Sequence, residues 1–131
     1  MSEPVFSLEG KSVWVAGHRG MVGSALVRRL QSESCTILTA DRKQADLTRQ
    51  NEVDEWMAVN QPQVVFLAAA RVGGIQANNM QPAEFLYENL MIEANVIHAA
   101  HKSGVQKLVF LGSTCTYPKL APQPIPEEAL L

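Results

Sequence analysis

Four short apolar runs rich in β-branched and aromatic residues, at 13–16, 36–40, 64–67 and 107–111, alternate along this sequence with stretches patterned for helices. Such runs are apolar on both faces, so a sheet built from them needs cover on both sides, and the parallel sheet of an α/β protein provides it. Helical patterns occupy about 21–31, 52–60 and 82–103. Gln61-Pro62 stops the second of these, Pro82 suits the first turn of the third, and Gly104 suits the position just past its end. Right-handed crossovers predict the spatial order 3-2-1-4, the first part of a doubly wound fold with helices on both faces. In that order the topological switch point falls between the first and fourth runs. The expected organisation is one incomplete domain over 1–131, with its core at about 12–115. A proline-rich extended tail is expected over 116–131, and the fold reads as cut short beyond the fourth strand.

The first run leads into Gly17-His18-Arg19-Gly20-Met21-Val22-Gly23 and then into helix-forming residues. Glycines at this spacing let a backbone turn tightly, approach a pyrophosphate and pack a helix close to its strand, as in a Rossmann dinucleotide-binding turn. The helix start adds unpaired N–H groups and positive dipole for the phosphates. His18 is expected to present only its backbone.

Composition excludes several classes. With 131 residues, 47% hydrophobic and 18% charged, the chain is long enough for a core and ordinary for a globular protein. A net charge of −2 without a basic run gives no reason to expect nucleic acid. No apolar stretch approaches the ~18 residues of a membrane span, and Met1-Ser2-Glu3-Pro4 lacks the start of a signal peptide. Cys35 and Cys115 form no disulfide framework, so the expected setting is the reducing cytoplasm. His98 and His101 share a side of the long helix but have no companions at metal-ligand spacing, so no metal site is expected.

Asp41 ends the second run roughly 20 positions past the glycine loop, where an acidic residue usually takes a ribose 2′-hydroxyl and marks NAD. Arg42 and Lys43 follow it, and Arg19 lies inside the loop. Cations there favour the 2′-phosphate of NADP, and NADP is the cofactor expected, especially if Asp41 turns aside. Asp46, with Leu47 beside it, either meets the adenine or caps the following helix. Leu67, Ala68 and Ala69 end the third run with room for backbone beside a cofactor, or for ordinary helix–sheet packing. Ser113 and Cys115 follow the fourth run at the expected crevice. A hydroxyl there bonds a substrate carbonyl and a thiol moves a proton, whereas a lone cysteine judged by type alone is a small buried hydrophobe. The long helix carries a wider apolar surface than one sheet contact needs. Either it forms a subunit interface or all of it meets the sheet and its neighbours.

Together these segments resemble the extended short-chain dehydrogenase/reductases that act on nucleotide sugars. The segments are Ala16-Gly17-His18-Arg19-Gly20-Met21-Val22-Gly23, then Leu67-Ala68-Ala69-Ala70-Arg71-Val72-Gly73-Gly74, then Gly112-Ser113-Thr114-Cys115-Thr116-Tyr117-Pro118-Lys119. The similarity is strongest to the branch that epimerises C3 and C5 of a GDP-4-keto-6-deoxy sugar and then reduces C4 with NADPH. It implies a GDP-sugar substrate for the complete enzyme and a fold truncated here before the substrate domain, with Arg19 and Arg42 at the 2′-phosphate, Ser113 on the C4 oxygen and Cys115 as the epimerisation base. It also implies a homodimer through the helix at about 82–103. The Tyr-x-x-x-Lys pair of that family is absent: Met91 stands four after Tyr87 and Ala121 four after Tyr117. Reduction by this chain alone is therefore expected to fail. The other readings are a different epimerase or dehydratase of that superfamily, and a non-catalytic NADP-binding module.

Overall fold

A computed structural model describes residues 6–130. Met1–Pro4, read above as free of a signal peptide, and Leu131 at the end of the proposed domain lie outside the described residues. The elements follow in the order β1 (Ser12–Ala16), α1 (Met21–Leu30), β2 (Thr36–Leu38), α2 (Gln50–Asn60), β3 (Val64–Leu67), α3 (Ile75–Met80), α4 (Pro82–Lys102) and β4 (Lys107–Phe110). Thr114–Thr116 and Glu127–Ala129 form 3-10 turns in an otherwise irregular tail. Seven of these eight elements match the expected runs to within two residues at each end. The expected 36–40 strand stops at Leu38, and the short helix α3 was not anticipated.

All strand pairs are parallel, and the sheet order is β2-β1-β3-β4. The expected order 3-2-1-4 is thus corrected: β3 lies beside β1, with Val13 opposite Val64 and Ala16 opposite Leu67. Burial explains the choice. Four of the five β1 residues are almost fully buried, as are three of the four in β3, so both strands take central places. β2 is three residues long and starts with exposed Thr36, while β4 starts with exposed Lys107 and ends with exposed Phe110. Those two suit edges.

The crossovers follow one hand. α1 covers the face carrying Val13, Val15 and Val64, where Leu30, Leu26 and Val27 pack. The chain then reverses direction across the sheet, which moves the next helices to the opposite face. There α2 (Val53, Met57) and α4 (Val96, Ala99, Ala100) bury Trp14, Ala16, Val65 and Leu67. Trp14 stacks on Trp56 with ring centroids 4.2 Å apart, fastening α2 to β1. Gly104, at φ +71°, ends α4 as expected.

This order also relocates the switch point. It lies between β1 and β3, so the crevice opens between the Gly17 loop and Ala68–Ala69–Ala70. The Gly112–Cys115 segment follows β4, one strand further out.

Candidate functional site

A cleft of about 690 Å³ occupies that crevice. Its lining draws on three walls: Gly17, His18, Arg19 and Gly20 after β1; Asp41, Arg42, Asp46, Leu47 and Thr48 after β2; and Ala68, Ala69, Ala70 and Arg71 after β3. Glu88 and Ile92, four apart on α4, close one side.

Two glycines are required by the backbone itself. Gly17 has φ +88°, and a Cβ there would stand 2.7 Å from the Ala68 carbonyl carbon and the Ala69 nitrogen. The two loops touch main chain to main chain. A Cβ on Gly23 would collide with the Gly17 carbonyl oxygen, so the start of α1 sits tight against the turn. Gly20 caps α1 with no side-chain bond, and the first turn holds no acidic residue. Its N–H groups and positive end therefore remain available to an anion.

Asp41 does turn aside. Its Oδ1 accepts the Lys43 and Gln44 amide N–H groups at 2.9 and 3.1 Å, closing a tight turn, and its Oδ2 faces the Arg19 guanidinium at 3.5 Å. Arg42 donates through Nε to Asp46 Oδ2 at 3.1 Å. Both arginine side chains remain about three-quarters exposed, at 76% for Arg19 and 75% for Arg42. The rim of the cleft thus offers two accessible guanidinium groups, while the nearby carboxylate is committed to its own backbone.

Asp46 lines the cleft and does not cap α2, whose N-cap is Arg49 without a side-chain bond. Its Oδ1 instead receives the Thr48 hydroxyl at 2.7 Å and the Thr48 amide at 3.0 Å. Partial burial pushes this carboxyl upward, but the Thr48 hydrogen bonds and the Arg42 guanidinium together outweigh it and hold its pKa below the ordinary value. Glu52, in the first turn of α2, accepts the Asp46 amide at 2.7 Å.

Of the remaining residues singled out from sequence, Met21, Val22, Gly23 and Leu67 are not part of the lining. Leu67 is buried in the core and Met21 is exposed. Ser113 and Cys115 are also outside the cleft, because β4 is not the neighbour of β1. They form a unit of their own: Ser113 Oγ accepts the Cys115 amide at 3.1 Å at the start of a 3-10 turn, and both side chains are exposed.

Sequence reasoning assigned no part to Arg71, Glu88 or Asn89. The Arg71 guanidinium pairs with Glu88, bonds Gln81 and lies over the Phe85 ring, 4.7 Å from its centroid. The Arg71 amide donates to Asn89 Oδ1 at 2.8 Å, and Asn89 Nδ2 donates to the Arg71 carbonyl at 3.1 Å. The only local hint was the four-residue spacing of Glu88 and Ile92. Among the described residues no cluster of His, Cys, Asp or Glu is placed to hold a metal ion, and no helix is long and apolar enough to cross a membrane.

A glycine turn pressed against a neighbouring strand exit, at the switch point of a parallel sheet and beside accessible cations, defines a dinucleotide-binding α/β protein of Rossmann type. Within that class the chain belongs to the NAD dependent epimerase/dehydratase family, whose model matches residues 13–131. It is 58% identical over 128 residues to GDP-L-fucose synthase of Sinorhizobium fredii, covering 98% of this chain and 41% of that protein. To GDP-L-fucose synthase 1 of Arabidopsis thaliana it is 55% identical over 130 residues, covering 97% and 40%. Among solved structures it resembles a GDP-mannoheptose C4 reductase from Campylobacter jejuni with NADP bound. That match has a TM-score of 0.87 and 41% identity, covering 92% of this chain and 38% of the other. The chain spans about two fifths of the length of the curated relatives it matches.

Proposed function

We propose that this chain is the NADP-binding part of a GDP-L-fucose synthase, acting on GDP-4-keto-6-deoxy-D-mannose in the cytoplasm. In this reading residues 12–115 form the core of one incomplete dinucleotide-binding domain, and 116–131 form its extended tail. The observation that carries the cofactor assignment is the posture of Asp41, which gives its carboxylate to the Lys43 and Gln44 amides and leaves Arg19 and Arg42 facing outward. A ribose 2′-hydroxyl needs a free acceptor there, whereas a 2′-phosphate needs cations. The identity above 50% to curated relatives supports the substrate assignment.

Gly17, Gly20 and the start of α1, including Met21 and Val22, would hold the pyrophosphate. Asp46, Leu47 and Ile92 would flank the adenine, and Ala68 and Ala69 would let the ribose lie close. Bound NADPH supplies the reducing equivalent for a C4 ketone. The chain's own contribution to chemistry lies at the end of β4. A C4 ketone acidifies the C–H bonds at C3 and C5, so Cys115 Sγ would take the proton from one carbon, release it to solvent at its exposed position, and then take the proton from the other. The Ser113 hydroxyl donates a hydrogen bond to the C4 oxygen, where charge develops in the enolate. Epimerisation needs an acid on the opposite face, and reduction needs a proton donor. The sequence has no Tyr-x-x-x-Lys to serve as that donor. The isolated chain is accordingly expected to bind cofactor without turning over substrate.

The outer side of α4 supports a homodimer. Leu86, Tyr87, Leu90 and Ile97 are spaced along one exposed face, with Leu86 at 64%. The resemblance to a C4 reductase favours one alternative, a reductase of another GDP-sugar. A chimera separates the two: this chain joined to the C-terminal three-fifths of the Sinorhizobium fredii relative, supplied with GDP-4-keto-6-deoxymannose and NADPH. GDP-fucose should form, and Cys115→Ser in the chimera should abolish it. A folded chimera that forms none while the parental relative does would contradict the assignment.

A further inference from the structure

Two asparagines of α4 reach across the fold to main chain on opposite walls of the cleft. Asn89 clamps Arg71 with the pair of hydrogen bonds described above, fixing the direction in which the chain leaves β3. Asn95, six residues on, donates through Nδ2 to the Leu47 carbonyl at 3.0 Å. Leu47 and Arg71 both line the cleft, as do their neighbours Asp46, Thr48 and Ala70. Neither wall is regular structure at these points: 45–46 is irregular, 47–48 is turn and 68–71 is irregular. Each segment has other anchors, among them the Thr48 and Arg42 bonds to Asp46 and the Ala68 amide on the Ala16 carbonyl. The asparagine bonds add a direct tie from the main chain of each segment to α4. α4 is rigid where it makes them, because Phe85, Val96, Ala99 and Ala100 are buried around them.

We infer that Asn89 and Asn95 are positioning residues that set the width of the cofactor cleft, each pinning the backbone of one wall to the same helix. Neither needs to touch the cofactor. Their carboxamides hold the main chain to α4 at points beyond the last sheet bond, which the Ala68 amide makes to the Ala16 carbonyl, with Asn89 acting as donor and acceptor and Asn95 as donor. A dinucleotide gripped between two walls is sensitive to their separation, since displacements of about 1 Å degrade aligned hydrogen bonds steeply. The inference rests on the cofactor reading above.

The test uses the 131-residue chain with Asn89→Leu, Asn95→Leu, Asn89→Asp and Asn95→Asp. Val53→Ala serves as a core control that lowers stability without removing either asparagine bond. NADPH binding is followed by fluorescence titration, thermal unfolding by circular dichroism, and amide hydrogen exchange by peptide mass. Both Leu variants are expected to bind NADPH roughly tenfold more weakly. Exchange should quicken at 68–71 for Asn89→Leu and at 46–48 for Asn95→Leu. Val53→Ala should melt earlier yet keep its affinity. Asn89→Asp retains the acceptor for the Arg71 amide and should fall between wild type and Asn89→Leu. Asn95→Asp loses the bond to the Leu47 carbonyl and should match Asn95→Leu. Unchanged affinity and exchange in the Asn variants would overturn the inference. So would a loss no larger than that of a Val53→Ala chain with the same melting temperature. A wild-type chain that folds but ignores NADPH would overturn the cofactor reading instead, and the exchange arm would still decide whether the walls are pinned.

Discussion

Asp41 sits where a carboxylate ordinarily selects NAD, and its two oxygens are occupied by a turn and by Arg19. On the proposed NADP reading, selectivity at the rim rests on Arg19 and Arg42. A hydrogen bond to a charged group contributes about 1.5–3 kcal/mol. Arg42→Ala should accordingly weaken NADPH binding by roughly tenfold to a hundredfold and leave NADH binding nearly unchanged, as paired calorimetric titrations would show. Gly17 tests the turn itself. Gly17→Ala places a side chain at φ +88° against the Ala68 main chain, so chemical denaturation should show a loss of at least about 2 kcal/mol. Asp46 gives a pH signature. Its pKa is lower folded than unfolded, so its ionised form stabilises the fold at neutral pH. That contribution disappears as the pH falls from about 4 through the folded value. Melting curves across pH should show Asp46→Asn less stable than wild type at pH 7, with a shallower acid decline. The glycines and the cations were legible in the sequence because their chemistry is local, a turn or a charge beside a strand end. The Arg71–Asn89 clamp was not legible, since hydrogen bonds across 18 residues leave no spacing pattern to read.

At the scale of elements, the strands were visible and their order was not. The composition held a usable signal, however. The runs of β1 and β3 contain no polar side chain other than Ser12 and the indole N–H of Trp14, whereas β2 opens with Thr36 and β4 with Lys107. The two most apolar strands belong at the centre, which excludes 3-2-1-4 and agrees with β2-β1-β3-β4. The order 3-2-1-4 followed a common topology in place of that burial argument. Ser113 and Cys115 were misplaced for the same reason, one strand too close to the glycine loop. α3 escaped notice because it is six residues long and follows Gly73-Gly74. For α4 the prediction concerns its outward face. Leu86→Glu with Leu90→Glu should leave the helix and the core intact but abolish self-association. Sedimentation velocity would then find a monomer where the wild type is a dimer, and a wild-type monomer at all concentrations would contradict the interface.

For the whole molecule, one parallel sheet brings three loop segments around a single crevice, and α4 ties two of them together. Ser113 and Cys115 stand outside that crevice, at the exposed end of an edge strand. On the proposed reading, gripping a dinucleotide falls to the chain's own loops, whereas converting a sugar needs a Tyr-x-x-x-Lys pair that the sequence does not contain. Calorimetric titration of the folded 131-residue chain with NADPH and with NADH tests this most directly. Saturable NADPH binding at least about tenfold tighter than NADH, the margin one charge-assisted contact supplies, is the predicted result. A chain that melts cooperatively yet gives no heat with NADPH, or binds both alike, would contradict it.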